Sequence, residues 1–459
     1  MSSTPVFSER SLSKHSLGSL RELWNIATPT ILILLSSNLM SFFDRLFLAH
    51  ESLESLEGCV NGSSLCQLFQ TCLSYCAGIA QVFVGQSLGA KKCKLSGSYV
   101  WQMVWFSFLS ILLTLPLGYL AEFVVFRDTS IEKQSIVYFR CLMMFNFFFP
   151  LGTALSSFYW GRGKTKMILW ATVTANLLNI VLDPLLIFGV PHWMPRLGIF
   201  GAALATGMSQ VLFCLILFLD FLRKKNAEEY GTRGYRFKRA IFWESLKLGV
   251  PRSITKLILM LVWVSNVRVM ALKGSDYLLV LSIGNSIALL FSFMNEGLAK
   301  GTITIASYII GSRENQKLKR LLSSSLFFLF FVAALLFCPC VLFPRFLLTL
   351  FFTPAFPFQQ MDLLTHACFW LWVYFIMNGI NYVGSAFLTA LGDNFFTMIY
   401  NLLSAWLVYF FPVVIAIQVG GVSADKFYLL MALASLVSAG VYFLRFYTES
   451  RKRLWVQQF

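Results

Sequence analysis

Runs of about 20 apolar residues, parted by short breaks rich in Gly, Lys and Arg, recur along the whole chain. A run of that length crosses the hydrocarbon core of a bilayer as a helix. Helices fit because backbone groups in lipid must be satisfied within their own segment. Continuous runs such as 326–337 do not match the short alternating strands of a membrane barrel. The pattern predicts twelve spans. Six lie in the first half, at 26–49, 59–84, 96–121, 136–158, 167–189 and 200–222. Six lie in the second, at 246–272, 277–305, 321–342, 363–388, 395–418 and 427–446. The expected fold class is an all-α polytopic membrane protein with two six-helix lobes, 26–222 and 246–446. A polar linker at 223–245 joins them, a segment at 1–25 precedes them, and a basic tail at 447–459 follows.

The two halves repeat each other. Glu22-Leu-Trp-Asn-Ile-Ala-Thr-Pro29 opens the first span, and Glu244-Ser-Leu-Lys-Leu-Gly-Val-Pro251 opens the seventh. Gly89-Ala-Lys-Lys92 follows the second span, and Gly311-Ser-Arg-Glu314 follows the eighth. Each feature returns 222 positions later (22 to 244, 29 to 251, 89 to 311), and Ala49 and Ala271 keep that register. Resemblance among helix entrances explains the residue types but not the constant spacing. Six spans per half is an even number, so both halves enter the membrane in the same sense. The repeats are then parallel, related by an axis along the membrane normal, and enclose a V-shaped central cleft between the lobes.

Composition fits a lipid environment: 57% of residues are hydrophobic and 13% charged, against about 25% charged in soluble domains. The net charge of +16 would suggest nucleic acid on a soluble chain. Here most of the 37 Lys and Arg residues sit in the termini and in the breaks after the second, fourth, sixth and eighth spans. That bias places both termini in the cytoplasm of a multi-pass protein of the inner or plasma membrane. No nucleic-acid partner is expected; the lipid bilayer is. The first twenty or so residues lack the apolar centre of a cleaved signal peptide, so the first span is expected to act as the insertion signal. The ten cysteines are scattered and read as small apolar residues. Four isolated histidines provide neither a metal site nor a catalytic cluster, so an enzyme is not expected and no cofactor is implied.

Ionisable residues inside spans are costly and are therefore candidates for function. Asp44 lies about eighteen residues into the first span and Asp183 about sixteen into the fifth, roughly 27 and 24 Å along each helix. Both helices run the same way, so the two carboxylates share a depth in one lobe. Asn179 stands one turn before Asp183, and Asn176 about two turns before it. Carboxylates with amide neighbours in a low dielectric suit a proton or a monovalent cation such as sodium. The alternative is that both acids mark hydrated helix ends. Pro29, Pro184 and Pro251 are expected to bend their helices and free backbone carbonyls. In the second half, Arg252, Lys256, Glu296 and Lys300 fall toward the cytoplasmic ends, where long side chains reach water and Glu296 can pair with Lys300. Glu296 and Lys256 are nevertheless candidates for a cavity in this lobe. So are Asn378 and Asn381, near the middle of the tenth span, with interhelical packing as the alternative. Gly161-Arg-Gly-Lys-Thr165 is not a phosphate loop, because Phe158 stands where a glycine is needed.

Several stretches together resemble the multidrug and toxic compound extrusion (MATE) family, over essentially the full length. They are Leu23-Trp24 with Pro29 and Leu39-Met-Ser-Phe-Phe-Asp44; Gly89-Ala90; Asn179-Ile-Val-Leu-Asp183-Pro184-Leu-Leu-Ile-Phe-Gly189; and the paired turns Gly161-Arg-Gly-Lys-Thr165 and Leu391-Gly-Asp-Asn394. The resemblance implies a secondary-active antiporter working by alternating access. It would export small organic, often cationic compounds against protons or sodium. It also implies that Asp44, Asp183 and Asn179 form the cation-coupling site of the N-terminal lobe. The sodium-coupled branch of that family carries acids in the seventh and tenth spans. This chain has Lys256-Leu-Ile-Leu259 and Asn378 there, so the resemblance favours protons. A flippase for lipid-linked or anionic precursors is the alternative, supported by Arg45, Arg252, Lys256 and Arg268.

Overall fold

The computed structural model describes residues 12–127, 131–349 and 358–456. Residues 1–11 of the N-terminal segment, including Arg10, and 457–459 of the tail lie outside the described residues. The first lobe consists of α1 (Leu20–Glu51), α2 (Leu53–Gly89), α3 (Leu95–Val125), α4 (Glu132–Met144 continued by Phe148–Gly161), α5 (Thr165–Phe188) and α6 (Ile199–Phe221). The second consists of α7 (Arg239–Lys273), α8 (Ser275–Gly311), α9 (Lys317–Leu342), α10 (Phe358–Leu391), α11 (Asn394–Gln418) and α12 (Phe427–Val456). Ten of these are long and apolar enough to cross a membrane outright. The remaining two, α4 and α8, bend by 43° and 46° and complete a set of twelve. The helices run past the predicted spans at most ends. A transfer-based reading stops where polarity rises, whereas the hydrogen-bonded helix continues to its cap. α7 begins at Arg239, ahead of the expected 246, and a short helix at Lys224–Tyr230 precedes it.

Caps and prolines explain where helices start and deform. Ser19 caps α1, its Oγ accepting from the Glu22 N–H at 3.3 Å, while the Gly18 N–H donates to Glu22 Oε2 at 2.7 Å. This reciprocal pairing satisfies donors the helix cannot. Pro339 and Pro412 remove an N–H from α9 and α11; Pro339 lies within a π-helical turn, Cys338–Leu342, and Pro412 two residues after another, Ala405–Phe410. Pro29, Pro184 and Pro251 lie within uninterrupted helices, and the two marked bends fall elsewhere.

Large apolar side chains such as Leu112, Phe123 and Leu335 face outward, as lipid-facing residues do. Inside, apolar clusters fill each lobe near both helix ends. Two of them join the lobes: Leu23, Ile26 and Ala27 of α1 pack with Leu298 and Ile305 of α8 and Leu321 of α9, and Ala299 and Ile303 of α8 belong to the cluster of Val84 and Trp160.

The 222-residue repeat is visible in the backbone. Lys91 and Arg313, 222 positions apart, both adopt positive φ, 59° and 61°. The repeated glycines meet each other. A Cβ on Gly89 would overlap the Tyr308 carbonyl oxygen, and one on Gly311 would overlap that of Gln86. One turn deeper, a Cβ on Gly85 would stand 2.8 Å from Ser307 Cβ. The ends of α2 and α8 therefore cross at backbone contact, on the axis that relates the halves. Gln81 Nε2 of α2 donates to the Lys300 carbonyl at 2.9 Å and to Thr304 Oγ1 at 2.8 Å, and Gln86 Nε2 donates to the Ala390 carbonyl at 2.9 Å. These contacts all belong to the helix halves nearest the chain termini, so the lobes are pressed together at that end.

Candidate functional site

Among the described residues, two polar sites lie inside the helical body. The first is buried in the first lobe. Asp183 and Asn179 are fully buried and Asp44 is 6% exposed. Helix register aligns the α5 pair: Asn179 Nδ2 donates to Asp183 Oδ1 at 3.5 Å across one turn. Asp44 of α1 adjoins Asp183, Asn179 and Thr206 of α6. Tyr138 of α4 and Cys59 of α2 adjoin the group. Asp44 Oδ1, Asp183 Oδ2 and Asn179 Oδ1 are buried without a hydrogen-bond partner. Buried oxygens left unpaired are costly and are the places where a proton or ion binds. Two carboxylates facing each other in low dielectric repel unless a proton or cation stands between them. The hydrated-end alternative does not describe these acids, whereas the neighbouring Arg45 is exposed.

Asn176 takes a different part. Its Nδ2 donates to Ser36 Oγ of α1 at 2.8 Å, tying α5 to α1 rather than joining the acids. Thr206, Tyr138 and Cys59 were not expected from the sequence. Thr206 left a weak signal as a lone hydroxyl in a small-residue run (Gly201-Ala-Ala-Leu-Ala-Thr206-Gly207), whereas Tyr138 and Cys59 meet the acids only through folding.

The second site is a cavity of about 580 Å³ between the lobes. Tyr75 of α2, Trp160 of α4, Arg252 and Lys256 of α7, Glu296 and Lys300 of α8 and Asn378, Asn381 and Tyr382 of α10 all line it. The α7 and α8 charges therefore do not reach out to water along the helix ends, as their position had suggested. They face inward because the other lobe covers them. Glu296 does pair with Lys300, at 3.5 Å, and Lys300 Nζ also sits 4.3 Å from the Trp160 ring centre. Asn381 Nδ2 donates to Tyr409 Oη at 3.3 Å. Asn266 of α7, unremarked in the sequence, lines the cavity with both amide atoms buried and unpaired.

Two helical lobes of six candidate spans each, with a cavity between them, define a polytopic helical membrane protein. The MatE family model matches the chain twice, at residues 29–185 and 253–415, once per lobe. The chain belongs to the MatE family. It is similar to "Probable multidrug resistance protein YoeA" of Bacillus subtilis, at 24% identity over 356 residues, covering 75% of this chain and 76% of that one. "Probable multidrug resistance protein NorM" of the same organism is 29% identical over 242 residues, covering 50% and 52%. An outward-facing structure of a multidrug resistance MATE family transporter of the MOP superfamily superposes with a TM-score of 0.84 at 18% identity, covering 95% of this chain and 97% of that one.

Proposed function

We propose that the protein is a secondary-active antiporter that exports small organic compounds in exchange for protons. The multidrug resistance names of its relatives support export of small organic molecules. The observation that carries the coupling is the buried trio of unpaired oxygens from Asp44, Asp183 and Asn179. A proton shared by the carboxylates satisfies Asp44 Oδ1 and Asp183 Oδ2 without further ligands, and sodium is the less favoured occupant. The inter-lobe cavity holds the substrate. Protonation removes the repulsion between α1 and α5, and α1 also packs on α8 of the other lobe, so α1 links coupling ion to lobe closure. The protein lies in the inner or plasma membrane with both termini cytoplasmic, in keeping with the Lys and Arg bias. The contact of α2 with α8 then shuts the cytoplasmic side.

The test is efflux from proteoliposomes loaded with ethidium and radiolabelled p-aminohippurate, under a proton or a sodium gradient imposed separately. The expected result is extrusion driven by the proton gradient alone. Extrusion under sodium alone, or of neither probe under either gradient, would overturn the proposal.

A further inference from the structure

We propose that the inter-lobe cavity is a binding site for small organic anions, with Arg252 and Lys256 anchoring a carboxylate beside aromatic rings that hold its apolar body. The inference rests on the reading of the chain as an exporter of small organic compounds and supplies the substrate class. Among the described residues, four Asp, Glu, Lys or Arg side chains line the cavity: Arg252, Lys256, Lys300 and Glu296. One carboxylate thus faces three cations, and it is engaged by Lys300 at 3.5 Å. Arg252 and Lys256 stand one turn apart on α7, 5.4 and 5.2 Å from the centre of the same Tyr75 ring. Among the described residues neither has an acidic partner within ion-pair distance.

Glu296 faces Arg252, Lys256 and Lys300 together, so one carboxylate offsets three cations and the cavity is left with room for a further anion. A planar carboxylate suits Arg252 and Lys256: the guanidinium binds both oxygens, and the ammonium adds a point charge. Asn266, 1% exposed and with an unpaired amide, offers the same ligand a further hydrogen bond. Tyr75, Tyr382 and Trp263 form flat walls for an aromatic body. The volume of about 580 Å³ falls in the range of sites for small molecules. A cavity of this sign repels the organic cations that the family resemblance suggested.

The test is equilibrium binding of radiolabelled p-aminohippurate to the purified full-length protein in nanodiscs, with tetraphenylphosphonium as the cationic probe. Saturable p-aminohippurate binding is expected, displaced by 1-naphthoate and not by tetraphenylphosphonium. Arg252→Gln and Lys256→Gln should each weaken it about tenfold or more, as expected for losing a buried partner of an ionic contact. Lys256→Arg, which keeps the charge, should retain most of it and shows that the position tolerates change. Absence of saturable p-aminohippurate binding to the wild type, or undiminished binding in both Gln variants, would overturn the inference. No gradient is present, so binding stands apart from coupling. A protein that binds the carboxylate but moves neither probe defeats the antiporter reading alone. One that extrudes ethidium on a proton gradient without binding the carboxylate defeats only the anion assignment.

Discussion

Asp44 and Asp183 stand 139 positions apart (44 to 183) and still meet, because each lies at a similar distance along a helix of the same direction. That coincidence was legible from residue counting. Asn176 shows the limit of such counting: it shares a helix with Asp183, yet its amide is spent on Ser36. The two asparagines should therefore behave differently from the acids and from each other. Asp44→Asn and Asp183→Asn should each lower proton-driven efflux by about tenfold or more, with normal amounts of folded protein in the membrane. The double variant should be no worse than either, as for groups that act as one unit. Asn176→Ala should leave efflux within about twofold of wild type while lowering the thermal midpoint, since it removes one hydrogen bond worth about 0.5–1.5 kcal/mol. Efflux assays and thermal unfolding on the same preparations separate these outcomes. Lys256 was among the cavity candidates, whereas Arg252 was less legible: its distance from a helix end suggests contact with water, and the opposite lobe turns it into a cavity wall.

The meeting of α2 and α8 turns a sequence repeat into a mechanical element. Gly89 and Gly311 looked like loop punctuation after two spans. Their absent side chains instead let two backbones cross. Gly89→Val should force α2 from α8, with an overpacking cost of about 1–3 kcal/mol. Spin labels on the α2 and α8 ends should then report a longer separation and a cavity more often open on the side bearing the termini. An unchanged separation would mean that the crossing does not hold the lobes together. The bend in α8 was not legible. α4 breaks at Phe145–Phe147, and the sequence signal for it is Pro150, which removes the N–H that would bond the Asn146 carbonyl one turn back.

Across the whole molecule, the even span number and the repeat offset both place the termini and the segment between the lobes on one side. With the exposed native Cys338 replaced by serine, a cysteine introduced between Lys224 and Lys238 should react with an impermeant maleimide only when the cytoplasmic face is accessible. Reaction from outside intact cells would reverse the orientation.

Hydropathy, residue spacing and charge bias were enough to determine the helical class, the duplicated halves and the matching positions of the two acids along their helices. These properties follow from the cost of backbone and charge in lipid, which acts on each helix by itself. Only the tertiary structure decided which side chains face the cavity, that the repeated glycines touch, and that Asn176 leaves the acids for Ser36. Those outcomes depend on how helices far apart in sequence are rotated against one another, and no single helix encodes that rotation.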